Sequence, residues 1–94
     1  MNKYESVIIV NPNLDDDKVK ALQDNFTNLI NKNGNVTKVE NMGKKKLAYE
    51  VKKQKEGIYV TFYFEAAPEL ISELERNYRI SDDVIKFIVI KVEE

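Results

Sequence analysis

Apolar and polar residues alternate along four separate stretches of this chain, and between them lie two stretches in which apolar residues recur every three to four positions. Alternation puts successive side chains on opposite faces of a strand, whereas the longer period draws one stripe along a helix. The first strand is Lys3 to Val10. Tyr4, Ser6, Ile8 and Val10 share one face, and Glu5, Val7 and Ile9 the other. Apolar residues on both faces near its end suit a central strand, or a second covering partner. Asn11-Pro12-Asn13 ends it, since Pro12 has no N–H to donate and Asn favours turns. A helix is predicted from Asp15 to Lys32, its start capped from within Asp15 to Asp17 and its stripe formed by Val19, Leu22, Phe26, Leu29 and Ile30. Asn33-Gly34 supplies its stop, Gly34 being able to take positive φ.

The second strand runs from about Val36 to Val51. Val36 and Val39 are out of phase with Leu47, Tyr49 and Val51, and Gly43 between them predicts a bulge or bend. Lys46, Glu50 and Lys52 fall opposite Leu47, Tyr49 and Val51, which gives one apolar and one cationic face. Lys52 to Glu56 reads as a polar connection closed by Gly57. The third strand is Ile58 to Glu65, with Ile58, Val60, Phe62 and Phe64 on one face and Tyr59, Thr61 and Tyr63 on the other. Pro68 opens a second helix, where its missing N–H does no harm, and Leu70, Ile71, Leu74 and Tyr78 form its inward stripe. Arg79 to Asp83 read as a turn, and Val84 to Val92 as a last strand apolar on both sides apart from Lys86 and Lys91.

The order β-α-β-β-α-β predicts an α+β fold: the ferredoxin-like split βαβ arrangement, a four-stranded antiparallel sheet with both helices on one face. Residues 1–94 are read as one such domain, with Ile8, Val10, Leu22, Phe26, Leu29, Val60, Phe62, Phe64, Ile71 and Leu74 in its core. The other sheet face is then uncovered. It carries Val7, Ile9, Tyr59, Tyr63 and either Ile88 with Ile90 or their neighbours, because the last strand is apolar at both parities. An apolar patch of that size marks an interaction surface.

Charge sharpens this picture. The chain totals −1, yet from Lys38 to Lys55 seven lysines face two glutamates, a net of +5 that leaves −6 for the remainder. Acidic residues gather at Asp15 to Asp17, Glu69 to Glu75 and Glu93-Glu94. A lysine-rich strand and hairpin in a polarised molecule suits a polyanion. With no Cys and no His, the chain has no thiolate nucleophile, no Cys-ligated metal and no imidazole base. No apolar run approaches the ~18 residues that span a bilayer, and residues 1–10 lack the features of a signal peptide, so a soluble intracellular protein is expected.

Three further patterns point elsewhere. The run Lys55 to Phe62 faintly echoes the third-strand signature of RNA-recognition motifs, but the phenylalanines take the helix-facing register. An acylphosphatase-like enzyme would need a glycine-rich, Arg-bearing phosphate loop after the first strand, and a small regulatory ligand-binding module a glycine-bearing one. Asn11-Pro12-Asn13 is neither.

The chain as a whole resembles protein six of the bacterial small ribosomal subunit. The likeness rests on Lys3-Tyr4-Glu5, Asn11-Pro12-Asn13-Leu14, Gly43 to Val51 (GKKKLAYEV), Ala67-Pro68-Glu69 and Tyr78-Arg79-Ile80-Ser81-Asp82, in that order. It implies a ferredoxin-like fold and a non-catalytic structural role in the 30S subunit. It implies binding to the central domain of the small-subunit RNA together with small-subunit protein eighteen, with no cofactor, no membrane and no small-molecule substrate, in the cytoplasm. The family's basic positions fall here on Lys3, Lys45, Lys46, Arg79 and Lys86, and the neighbouring Lys44 and Lys53 extend them into a candidate RNA-binding set. Lysine stands at 45, 46 and 86 where the family often has arginine, which keeps the charge and loses the bidentate fork. Val51 replaces a more usual isoleucine. The candidate partner-binding set is Val7, Ile9, Tyr49, Tyr59, Tyr63 and Ile88. Some members carry a longer tail that reaches neighbours, whereas this sequence runs to Glu94.

Overall fold

Alternate residues of the first strand, Tyr4, Ser6, Ile8 and Val10, are all buried, because the strand lies inside a sheet with both helices packed on one side. A computed structural model describes residues 1–92; the acidic pair Glu93-Glu94 lies outside the described residues. The elements are β1 (Asn2–Val10), α1 (Asp16–Asn31), β2 (Gly34–Val51), β3 (Gln54–Ala66), α2 (Pro68–Ile80) and β4 (Val84–Val92). They form one four-stranded sheet in the order β2-β3-β1-β4, with every neighbouring pair antiparallel. This is the ferredoxin-like arrangement predicted from the element order.

Capping follows the sequence at the first helix. The Asp15 carboxylate accepts from the Lys18 amide at 2.9 Å, and Asp16 and Asp17 complement the positive helix end. Gly34 departs from expectation. It is not left-handed; it is needed because a Cβ there would lie 2.5 Å from the Glu65 carbonyl oxygen and 3.0 Å from the Ala66 Cβ. Gly43, by contrast, has φ of +80 and sits at the predicted bulge, with its amide held by the Asn41 side chain at 2.8 Å.

The core lies between sheet and helices. Seven of the ten predicted core residues are buried, while Leu22, Leu29 and Ile71 are half-buried at its margin. Its centre is aromatic: Phe26 meets Tyr78 edge-on at 4.7 Å and Phe62 at 6.4 Å, and Tyr78 lies 5.3 Å from Phe87. Ser6 is buried on the same face, where its small side chain leaves room for Tyr78. The two hydroxyls share a 2.7 Å hydrogen bond.

Two boundaries correct the reading from sequence. Gln54 to Glu56 belong to β3, so the polar run after Lys53 is strand rather than connection. Those residues are polar because the hairpin arm beyond Gly57 leaves the body of the sheet and meets water on both faces. The second helix continues through Ile80, which places Arg79 in its last turn rather than in a loop. A cation there complements the negative helix end.

Candidate nucleic-acid and partner interface

Strand register sorts the uncovered face into rows running from β4 to β2. One row is Ile90, Glu5, Tyr63 and Lys38; the next is Ile88, Val7, Thr61 and Glu40; the third is Lys86, Ile9, Tyr59 and Gly43. Lys45 follows, opposite Gly57. The register thus resolves the parity of β4. Ile88 and Ile90 face outward, at 53% and 47% exposure, while Phe87 and Val89 pack towards the helices. The bulge between Ile9 and Val10 lets Val84 and Ile85 both be buried at the strand's start.

Val7, Ile9, Tyr59, Tyr63 and Ile88 therefore share one continuous surface, and Ile90, absent from the candidate partner set, extends it. Tyr49 is elsewhere. It sits on the hairpin arm, 67% exposed, where regular pairing with β3 breaks between Lys46 and Val51. Its hydroxyl accepts from the Lys86 ammonium at 3.2 Å, and its ring lies 5.4 Å from the same nitrogen. A contact between residues 37 positions apart gives no signal in sequence.

The cations are less uniform than strand alternation implies. Lys45 lies over the Tyr59 ring at 5.9 Å and shares the open face with Lys86. Lys44 pairs with Ile58, a helix-facing residue, and lines a cleft near the start of α1 with Pro12 and Asp16. Lys46 pairs with Glu56 on the arm. The arm from Lys44 to Glu50 is exposed on both faces apart from half-buried Leu47, so the predicted division into one apolar and one cationic face does not hold. Arg79 lies over the Phe87 ring at 5.8 Å, beside Lys86. Lys3 is remote: it lies six positions before Ile9 along β1, about 20 Å at strand rise. The structure brings Lys45, Lys86 and Arg79 towards one end of the sheet and leaves Lys3 at the other.

Sequence reasoning missed the Lys38–Glu40 pair, whose charged atoms are 3.0 Å apart beside Tyr63. The Glu40 hydrogen bond and charge raise the Lys38 pKa, and Lys38 lowers that of Glu40 in return. Burial, then the Glu40 carboxylate, pushes the Tyr63 hydroxyl up. Lys38 therefore stays charged, and its partner Glu40 is one of the two glutamates already counted in the net +5 of the segment. Asn11 and Asn13 serve the turn after β1: the Asn11 side chain accepts the Asn13 amide at 3.0 Å.

The hairpin tip carries strain. Lys52 and Lys53 have φ of +48 and +65, the left-handed pair of a two-residue turn that Asn-Gly would adopt at less cost. Lys53→Gly will raise stability by about 1 kcal/mol, because glycine meets no Cβ penalty there; chemical denaturation at matched m-values measures it.

Fold and surface define a class, the small ferredoxin-like α+β module presenting an apolar sheet face beside a basic rim. The family model described as Ribosomal protein S6 matches residues 3–91. Small ribosomal subunit protein bS6 of Clostridium perfringens is 45% identical over all of both chains. That of Heliobacterium modesticaldum is 43% identical over all of this chain and 99% of its own. The crystal structure of 30S ribosomal protein S6 from Thermotoga maritima superposes with a TM-score of 0.92 at 33% identity, covering 97% of this chain and 87% of that one. The chain belongs to the ribosomal protein S6 family, whose members are structural, non-enzymatic constituents of the small ribosomal subunit.

Proposed function

We propose that this chain, acting as a single domain, binds the central domain of small-subunit ribosomal RNA jointly with small-subunit protein eighteen in the cytoplasm. The observation that carries the reading is the open sheet face. Ile88 and Ile90 stand exposed beside Val7, Ile9 and Tyr59, and Lys45 and Lys86 border them. A chain of net charge −1 gains from leaving such apolar area to a basic partner. The partner covers Val7, Ile9, Tyr59, Tyr63 and Ile88, and Tyr49 meets it from the arm. Lys44, Lys45, Lys46, Lys53, Arg79 and Lys86 contact phosphates, and Lys3 makes a separate contact at the far end of the sheet. Each neutralised phosphate on duplex adds about −0.9 to the slope of log affinity against log salt. Recognition then follows RNA shape and backbone more than base identity.

Affinity for a central-domain RNA fragment is expected to be weak for the chain alone and cooperative with protein eighteen. Titrations with and without that partner test this, and equal affinities would refute joint binding. The double reversal Lys45→Glu and Lys46→Glu is expected to abolish assembly and leave the melting curve unchanged, since both side chains are exposed.

A further inference from the structure

The last turn of α2, the start of β4 and the tip of the β2–β3 hairpin enclose a cleft of about 250 Å³. Lys52, Arg79 and Lys86 stand around it over a floor that includes Phe87 and Val84, and among the described residues no acidic one lines it. Two of the three cations are positioned by neighbours. The Arg79 guanidinium lies 5.8 Å from the Phe87 ring centre, and the Lys86 ammonium donates to the Tyr49 hydroxyl at 3.2 Å. Arg79 makes a long ion pair with Glu75, one turn back on its own helix, at 4.0 Å. Among the described residues neither Lys52 nor Lys86 makes an ion pair.

Lys52 reaches this cleft from a different element, the two-residue turn that joins β2 to β3. It is held at φ of +48, a region that lysine enters only at a cost. The turn sets Lys52 across from residues at the end of α2 and the start of β4.

We propose that this cleft is a phosphate site, in which Lys52 acts as a direct third ligand with Arg79 and Lys86 on one phosphodiester of a nucleic-acid strand. The proposal rests on the RNA-binding reading above and deepens it, adding Lys52 to the contact set and assigning three cations to a single anion. Three positive groups around one small volume repel one another until an anion enters. The arginine supplies a planar fork and the lysines supply mobile point charges. The apolar floor keeps water from one side of the ion, which strengthens its attraction to all three. Phe87 offers a surface for the adjoining sugar.

Binding of a labelled uridine octamer to the full chain at low salt tests the site. Lys52→Gln is expected to weaken binding roughly three- to tenfold and to reduce the magnitude of the salt slope by less than about 0.7, the value for a whole phosphate, because two cations still hold it. Lys52→Arg is expected to retain it. Because one phosphate is shared, the loss in the Lys52→Gln, Lys86→Gln double variant falls short of the product of the single losses. Wild-type affinity for Lys52→Gln, with Lys86→Gln weakened, overturns the site and leaves the RNA reading standing. Multiplicative losses overturn it too, since they mean separate phosphates. Wild-type affinity for Lys52→Gln, Lys86→Gln and Arg79→Gln alike overturns the RNA reading itself. Displacement of the octamer by millimolar inorganic phosphate at constant ionic strength makes this a free-anion site and overturns the assignment to a strand. Melting curves of the variants verify that each is folded.

Discussion

Tyr78→Ala will remove roughly 3–5 kcal/mol of stability. Tyr78 is fully buried, meets Phe26 and Phe87 with its ring, and holds the Ser6 hydroxyl at 2.7 Å. Truncation leaves a cavity between α2 and β1 and a buried Ser6 hydroxyl with no partner. For a domain whose whole margin is about 5–15 kcal/mol, that is a large share. Tyr78→Phe separates the two contributions. It keeps the ring and strands Ser6, so about 1–3 kcal/mol is expected. Guanidinium unfolding of the three proteins measures both, and a Tyr78→Ala loss below about 1 kcal/mol would show that the core does not depend on this ring.

The same residue gives an alkaline signature. Burial pushes the Tyr78 hydroxyl well above the ordinary tyrosine value, and the Ser6 bond only partly opposes the shift. A raised folded pKa contributes stability that is fully present below the unfolded value, near pH 10, and is lost as pH climbs towards the folded value. Over that window this group alone lowers stability by about 1.4 kcal/mol per pH unit. Lysines titrate there as well, so the test is the difference between wild type and Tyr78→Phe. That difference shrinks as pH rises above 10, and a constant difference would contradict the assignment.

Ile88→Asp combined with Ile90→Asp is the second large expected effect. Both residues project from the edge strand β4 into solvent, so the isolated chain will melt within about 1 kcal/mol of wild type. Protein eighteen, if it packs on this face, will bind at least about 30-fold more weakly, since each carboxylate must be desolvated against an apolar surface. Calorimetric titration of the partner reads the loss directly. Unchanged affinity would place the partner elsewhere. The pair differs from the Lys45 and Lys46 reversal in what it should spare: residual RNA binding by the chain alone.

How much of this was legible before the fold was known depended on the range of the cause. The Asp15 cap and the Gly43 bulge are local, and each lies where residue type and spacing put it. The run from Gln54 to Glu56 misled because polarity there reports an exposed strand as readily as a loop. Gly34 was read for its backbone freedom, yet its requirement comes from Glu65 and Ala66 across the sheet. The candidate site divided similarly. Val7, Ile9, Tyr59, Tyr63 and Ile88 were visible as a face because alternation is a local property. The clasp of Tyr49 on Lys86 and the approach of Lys52 to Arg79 were not, because each joins residues brought near by different strands or by the hairpin's turn, whereas the Lys38–Glu40 pair lies two residues apart on one face of β2 and was missed although it is local.

The sequence by itself determined the order of elements, the helix-facing register of β1 and β3, the concentration of lysine in one hairpin, and family membership. These rest on periodicity and residue type, which act within a few positions of the chain. Only the tertiary structure decided which side of β4 faces outward and which lysines share a surface. Strand register and the path of the hairpin arm settle those points, and both are products of packing between segments far apart in the chain.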